Sequence, residues 1–212
     1  MAQENQGATY YGKSISQFKG TLARGGVRPS MFQVDLTFPD GTTNDQADVI
    51  QKASMLVKGA QIPASTIGVI PVPFRGRQLK VSGDRTFEPW TVTVINDANF
   101  TVRKALEKWS EKIQNHNFAL GETFLERYFQ DLTVRQLDRD GKNLRTFKVF
   151  SAWPSSMSAI ELDFGANDTV EEYQITFEYQ FWHSSDTDQV GTSARVNDEN
   201  KPSLEDLAKV TS

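Results

Sequence analysis

Hydrophobic and polar residues alternate strictly near the start of the chain. Phe32, Val34, Leu36 and Phe38 share one parity, and Gln33, Asp35 and Thr37 take the other. A period of two sends successive side chains to opposite faces, so residues 31–38 are predicted to form a strand with one apolar face. Pro39-Asp40-Gly41 then turns the chain. Residues 42–52 read as a polar loop with at most one helical turn. Strands are expected over 55–62, ended by Pro63, over 66–72, ended by Pro73, and over 74–81. The clearest β composition is at 87–95, where Trp90, Val92 and Val94 alternate with Thr91 and Thr93.

The period changes at residues 99–115. Val102, Leu106, Trp109 and Ile113 recur at helical spacing, with Arg103, Lys104, Glu107, Lys108, Glu111 and Lys112 on the opposite side. This is the one helix the pattern supports strongly, and Asp97 or Asn99 can cap it. Residues 116–130 show no clear period. Strands over 132–137 and 144–150 flank Asp138-Arg139-Asp140-Gly141, a hairpin signal. Trp153-Pro154 is expected to end that hairpin, and a short strand is expected over 159–164. One long last strand is expected, with Tyr173, Ile175, Phe177, Tyr179 and Phe181 on one face. Before residue 31 the chain is polar and aperiodic, and from His183 it is rich in Ser, Asp, Thr and Asn, with a short helix expected over 203–210. The fold class is therefore mainly β: an antiparallel sandwich or barrel with one flanking α-helix.

Composition narrows the function. The 212 residues include no cysteine and two histidines, which removes disulfides, thiolate metal sites and a Cys nucleophile, and leaves little for a His-based site. No metal or cofactor is expected. No apolar run reaches the roughly 18–20 residues of a membrane span, and the polar start (MAQENQ) has no secretory pattern, so a soluble, cytoplasm-made protein is expected. The net charge is −4, distributed unevenly. Residues 1–30 carry four basic side chains against one acidic, residues 31–182 carry 16 against 20, and residues 183–212 carry three against six. A body without net positive charge argues against tight, sequence-independent nucleic-acid binding, which needs phosphate neutralisation. Aromatics at 11% fit a well-packed β domain or one with large interfaces.

The candidate motifs for chemistry are weak. Residues 7–14 (GATYYGKS) match G-x-x-x-x-G-K-[ST], but no strand precedes them and no βαβ unit surrounds them, so chance is the better explanation. Asn99-Phe100-Thr101 and Asn167-Asp168-Thr169 fit a glycosylation pattern that means little without a secretory signal. His116 suits a helix C-terminus, and His183 has no obvious partner in the sequence. Glu172 with Glu178, or Asp84 with Glu88, could in principle form a carboxylate pair for glycoside hydrolysis. No positioned acid, base and orienter stands out, so an enzyme is not expected. More informative is the polar face of the last strand, carrying Glu172, Gln174, Thr176, Glu178 and Gln180. It is either an ordinary hydrated surface or a wall facing a water-filled channel.

Residues 81–97 (VSGDRTFEPWTVTVIND) strongly resemble the tail tube proteins of contractile-tailed bacteriophages, the myoviruses. The likeness extends to Arg28-Pro29-Ser30-Met31-Phe32-Gln33-Val34, to residues 59–74 (GAQIPASTIGVIPVPF), to Ala152-Trp153-Pro154 with Leu162-Asp163, and to Phe181-Trp182. It covers about residues 28–182 in the family's order. The resemblance implies a tail tube β-barrel domain at 28–182, with additions at 1–27 (an N-terminal arm) and 183–212 (a C-terminal extension). It implies hexameric rings stacked into an inner tube, a conduit for DNA ejection within a contractile sheath. The implied partners are further copies of the chain, the sheath protein, a baseplate initiator, a tape-measure protein and a tail terminator. DNA would pass through the lumen without specific binding. The implied location is the virion, after assembly in the host cytoplasm. A baseplate tube-initiator protein or a secretion-system tube homologue is the alternative with the same fold. On this footing Glu172 and Glu178 are expected to line the lumen, and Arg103, Lys104, Glu107, Lys108, Glu111 and Lys112 to face the sheath. The loop carrying Asp40, Asp45, Asp48 and Lys52 is expected to reach the adjacent ring.

Overall fold

In the computed structural model, residues 15–22, 25–43, 45–118 and 120–185 are described. The P-loop-like match at 7–14 and the helix expected at 203–210 lie outside them, as do most of the N-terminal arm and C-terminal extension. Three helices and nine strands follow one another as α1 (Ile15–Thr21), β1 (Phe32–Asp35), α2 (Gln46–Leu56), β2 (Val57–Ala60), β3 (Ser65–Phe74), β4 (Arg77–Phe87), β5 (Trp90–Ile95), α3 (Thr101–Ile113), β6 (Gln130–Leu137), β7 (Asn143–Met157), β8 (Glu172–Glu178) and β9 (Phe181–Ser184). All strand pairing is antiparallel. The main sheet runs β1-β6-β7-β8-β5-β2, with β9 also on β7, while β3 and β4 pair only with each other.

Strand β7 organises the domain. Its first ten residues pair with β6 and β9, and its last five pair with β8. Between them Ser151 takes φ 53°, and two steps along β6 oppose three along β7. A bulge with a left-handed residue bends and twists a strand, which lets one strand serve both halves of a closing sheet. The Asp131 carboxylate accepts the Ser151 N–H at 3.2 Å and so fixes the bend.

The apolar faces meet inside. Val34, Leu132, Val134, Phe147 and Val149 come from one half, and Trp90, Val92, Val94, Tyr173, Ile175 and Phe177 from the other. Trp109 of α3 enters this core beside Phe38 and Phe177, at centroid distances of 6.0 and 6.1 Å. Its indole donates to the Tyr128 carbonyl at 2.7 Å. The expected flanking helix is α3, whose first turn is held by Asp97: the carboxylate accepts the Thr101 N–H and hydroxyl, both at 2.7 Å.

Several expected elements differ. The polar loop expected at 42–52 gives way to helix from residue 46: 46–56 form α2, which buries Val49 and Ala53 and starts on Asp45, whose side chain accepts the Asp48 N–H. The strand expected at 55–62 is accordingly reduced to β2. Trp153-Pro154 does not end the hairpin, because a second register shift beside Pro154 lets the strand continue to Met157. Residues 159–164 contain no strand. The long last strand breaks at Tyr179–Gln180, and β9 then joins the other half of the sheet on β7. His183 and Ser184 therefore belong to a strand, and Ser184 is buried.

Candidate assembly surfaces

Three surfaces carry the residues of interest. The first is the outward face of β5 and β8. Direct pairing sets Thr91 opposite Thr176, Thr93 opposite Gln174, and Ile95 opposite Glu172. Glu178, at the far end of β8, lies opposite Trp153 of β7. This brings Glu172, Gln174, Thr176 and Glu178 onto one face whose reverse is the buried Tyr173, Ile175 and Phe177. Glu172 pairs with Lys58 at 2.5 Å. The wall is rich in hydroxyls and amides, with few charges. Glu172 and Glu178 are six residues apart on one extended strand, about 20 Å at the usual rise, far beyond the roughly 5–9.5 Å of a glycosidase pair. Asp84 and Glu88 lie on β4 and just past its end.

The second surface is the polar side of α3. Lys104, Glu107, Lys108 and Glu111 are exposed. Arg103 instead crosses the Tyr173 ring at 5.1 Å while its Nε pairs with Glu107 at 3.0 Å. Lys112 reaches back to the Asp40 carbonyl at 2.8 Å. Two of the six expected outward residues thus brace the helix, and four project. Beside them, Asp45 caps α2, and Asp48 pairs with Lys52 at 2.7 Å one turn later. That hydrogen bond leads the causes that hold the Lys52 ammonium above its ordinary pKa. Asp40, Asp45 and Asp48 are exposed, and Lys52 is half-buried.

The third surface was not expected as a site. β3 and β4 form a hairpin of 10 and 11 residues, joined at Arg75-Gly76, where φ is 44° and 80°. Positive φ at both central residues matches the primed turns that suit twisted hairpins. A Cβ on Gly83 would lie 3.2 Å from the Gly68 backbone, so the two strands cross closely where the register shifts. The hairpin's root is tied to the core. The Trp90 indole donates to the Gln61 carbonyl at 2.7 Å, and the Tyr179 hydroxyl and Trp182 indole both donate to the Ala64 carbonyl at 3.3 Å. Burial, with the nearby Glu88 and Glu178 charges, pushes the Tyr179 hydroxyl up to about 12. Beyond the root the hairpin is bare on both faces: Ile67, Val69, Ile70, Val72, Phe74 and Leu79 are 43–66% exposed. The signal was present in the sequence as apolar residues on both parities between 67 and 81, a pattern that neither core nor ordinary surface explains.

Residues between 158 and 171, together with Thr93 and residues 172–174, line a half-open cavity of about 710 Å³. Ile160 packs against the core, while Leu162, Phe164 and Val170 are 82%, 108% and 65% exposed. Among the described residues, no helix is long and apolar enough to cross a membrane, and no cluster of His, Asp and Glu could hold a metal.

An antiparallel β domain with one braced helix, a polar sheet face and an uncovered hairpin defines a subunit made for assembly with other chains. The sequence profile of the phage tail tube protein family matches residues 27–185, so the chain belongs to that family. It is 28% identical over 157 residues to tail tube protein gp19 of Enterobacteria phage T4, covering 74% of this chain and 90% of that one. It is 28% identical over 168 residues to the tail tube protein of Serratia phage KSP90, covering 78% and 94%. The fold is shared with the sheath/tube terminator of an extracellular contractile injection system in its extended state (TM-score 0.56, 17% identity, 75% of this chain and 96% of that one). It is also shared with the tube-terminating cap of the anti-feeding prophage (TM-score 0.53, 17% identity, 75% and 90%). The chain is thus a myovirus tail tube protein with a structural role in the virion, and the initiator and secretion-tube alternatives are not favoured.

Proposed function

We propose that this chain closes into hexameric rings that stack into the inner tail tube, the conduit for DNA ejection. The observation that carries the proposal is the β3–β4 hairpin: an arm of exposed apolar side chains that the other described residues leave uncovered. Exposed apolar surface of this extent marks an interface. A head-to-tail contact that does not close on itself continues as a filament, and a ring hides the open edges of the sheet.

Residues 28–182 form the assembling domain in this proposal, with 1–27 and 183–212 as additions. The face of Glu172 and Glu178 lines the lumen. Thr91, Thr93, Gln174 and Thr176 hydrate it, and Lys58 is neutralised by Glu172, so the wall offers DNA no basic track to bind. Lys104, Glu107, Lys108 and Glu111 face the sheath. The acidic rim of Asp40, Asp45 and Asp48, with Lys52, meets the adjacent ring, with Asp48 and Lys52 on helix α2, Asp45 capping it and Asp40 in the turn before it. The further partners are a baseplate initiator, a tape-measure protein and a tail terminator, with assembly in the host cytoplasm. The protein performs no catalysis.

Negative-stain microscopy of the full-length protein across a concentration series tests this. Hollow rods or stacked six-fold rings are expected. A monomer at every concentration, even with baseplate initiator added, would overturn it.

A further inference from the structure

We propose that the tip of the β3–β4 arm of one copy docks into the cavity under residues 158–171 of a second copy. This rests on the tube reading above and names the receptor for the arm.

The two surfaces are complementary in charge. The arm, residues 65–87, carries Arg75, Arg77, Lys80 and Arg85 against a single acid, Asp84. Residues 158–172 carry five acids and no base. Of these only Glu172 has a cationic partner among the described residues. Glu161, Asp163 and Glu171 line the cavity without one. An acidic rim that folding leaves unneutralised, facing a basic tip that folding leaves unneutralised, favours association and orients it.

The surfaces are also complementary in polarity. The tip presents Phe74 and Leu79, 66% and 63% exposed, and the rim of the cavity presents Leu162 and Phe164. A cavity of about 710 Å³ has room for such side chains. Thr93, Glu172 and Gln174 also line it, so the docking site borders the polar β5–β8 face at its Glu172 end.

Reach permits docking in a neighbour. Strands of this length extend about 30 Å, and β3 and β4 pair with no other strand along that length. The tip therefore sits well outside the body that carries it.

The absence of cysteine from the chain allows a clean test. A chain carrying Arg77→Cys is mixed with one carrying Asp163→Cys, assembled and oxidised. A disulfide requires the two Cα atoms within about 7 Å. A crosslinked dimer on a denaturing gel is expected, absent from either variant alone. A second pairing, Lys19→Cys with Asp163→Cys, asks whether the basic N-terminal arm is the true occupant. Rods that give no Arg77–Asp163 crosslink, or that crosslink through Lys19 instead, overturn the docking and leave the tube standing. A parent that forms no rods overturns both. Should the cysteine variants not assemble, charge reversal decides. Arg75→Glu with Arg77→Glu should raise the critical concentration at least tenfold, and Glu161→Lys with Asp163→Lys should restore it. Failure of that restoration overturns the docking.

Discussion

The Trp90 indole donates to the Gln61 carbonyl at 2.7 Å, and this one bond ties the floor of the core to the root of the β3–β4 arm. Trp90 is 1% exposed and its ring lies tilted against Phe177 at 5.7 Å, so the bond anchors the arm's root to a buried ring. Replacing Trp90 with Phe keeps an aromatic ring but removes the donor. Chemical denaturation should show a loss of about 1–2 kcal/mol. Hydrogen exchange should speed up around residues 61–65 before it does so in β8. Uniform acceleration would mean that the bond does not hold the root.

Acid should weaken the start of α3. Burial works to raise the Asp97 carboxyl, but the hydrogen bonds from the Thr101 hydroxyl and N–H outweigh it and hold the group below the usual carboxylate range. A lowered folded value means the stabilisation is complete above about pH 4 and is lost as pH falls through the folded value. Asp97→Ala should cost about 1 kcal/mol near neutral pH. The difference between variant and parent should vanish in strong acid. A difference that is flat with pH would assign the effect to packing instead.

Alkali should act at the other end of the arm's root. The Tyr179 hydroxyl, raised to about 12, stays protonated in the folded chain after an ordinary tyrosine near 10 has ionised. Its contribution is therefore complete below pH 10 and is lost as pH rises towards 12. Burial holds Tyr173 above the ordinary value as well, so ultraviolet titration of the phenolates should show one late-titrating group fewer in Tyr179→Phe than in the parent. The variant should also lose less stability over that window.

The exposed side of α3 gives a prediction about the sheath. Lys104→Glu with Lys108→Glu changes two exposed side chains on the face of the helix away from the buried Val102, Ala105, Leu106 and Trp109. Thermal stability should change by less than about 0.5 kcal/mol, and bare tubes should still form. Co-assembly with sheath protein should fall severalfold. Loss of the tubes themselves would place this face between subunits.

The sequence showed some elements and concealed others for identifiable reasons. β5 and β8 were legible because Trp90, Val92 and Val94, and Tyr173, Ile175 and Phe177, alternate against Thr, Gln and Glu over a sheet with one wet face. α3 was legible through Val102, Leu106 and Trp109 at helical spacing. α2 was hidden because it buries only Val49 and Ala53 fully, with Ile50 and Leu56 partly buried against the core, and because the capping and pairing of Asp45, Asp48 and Lys52 need the helix to be seen. The break after Glu178 was invisible because Tyr179 and Phe181 keep the same parity while the chain changes partner strand. Ile160, Leu162 and Phe164 alternate as a strand would, yet the last two are the most exposed large apolar side chains among the described residues. Exposed apolar surface looks like core in one dimension, and the arm and the 158–171 segment share that property.

The most direct test of the account is a helical reconstruction of assembled tubes at side-chain resolution. The account predicts that the β5–β8 face, with Glu172 and Glu178, lines the channel, and that the β3–β4 arm leaves its own ring to contact another copy. A map with both glutamates on the outer wall, or with the arm folded back on its own subunit, would contradict it.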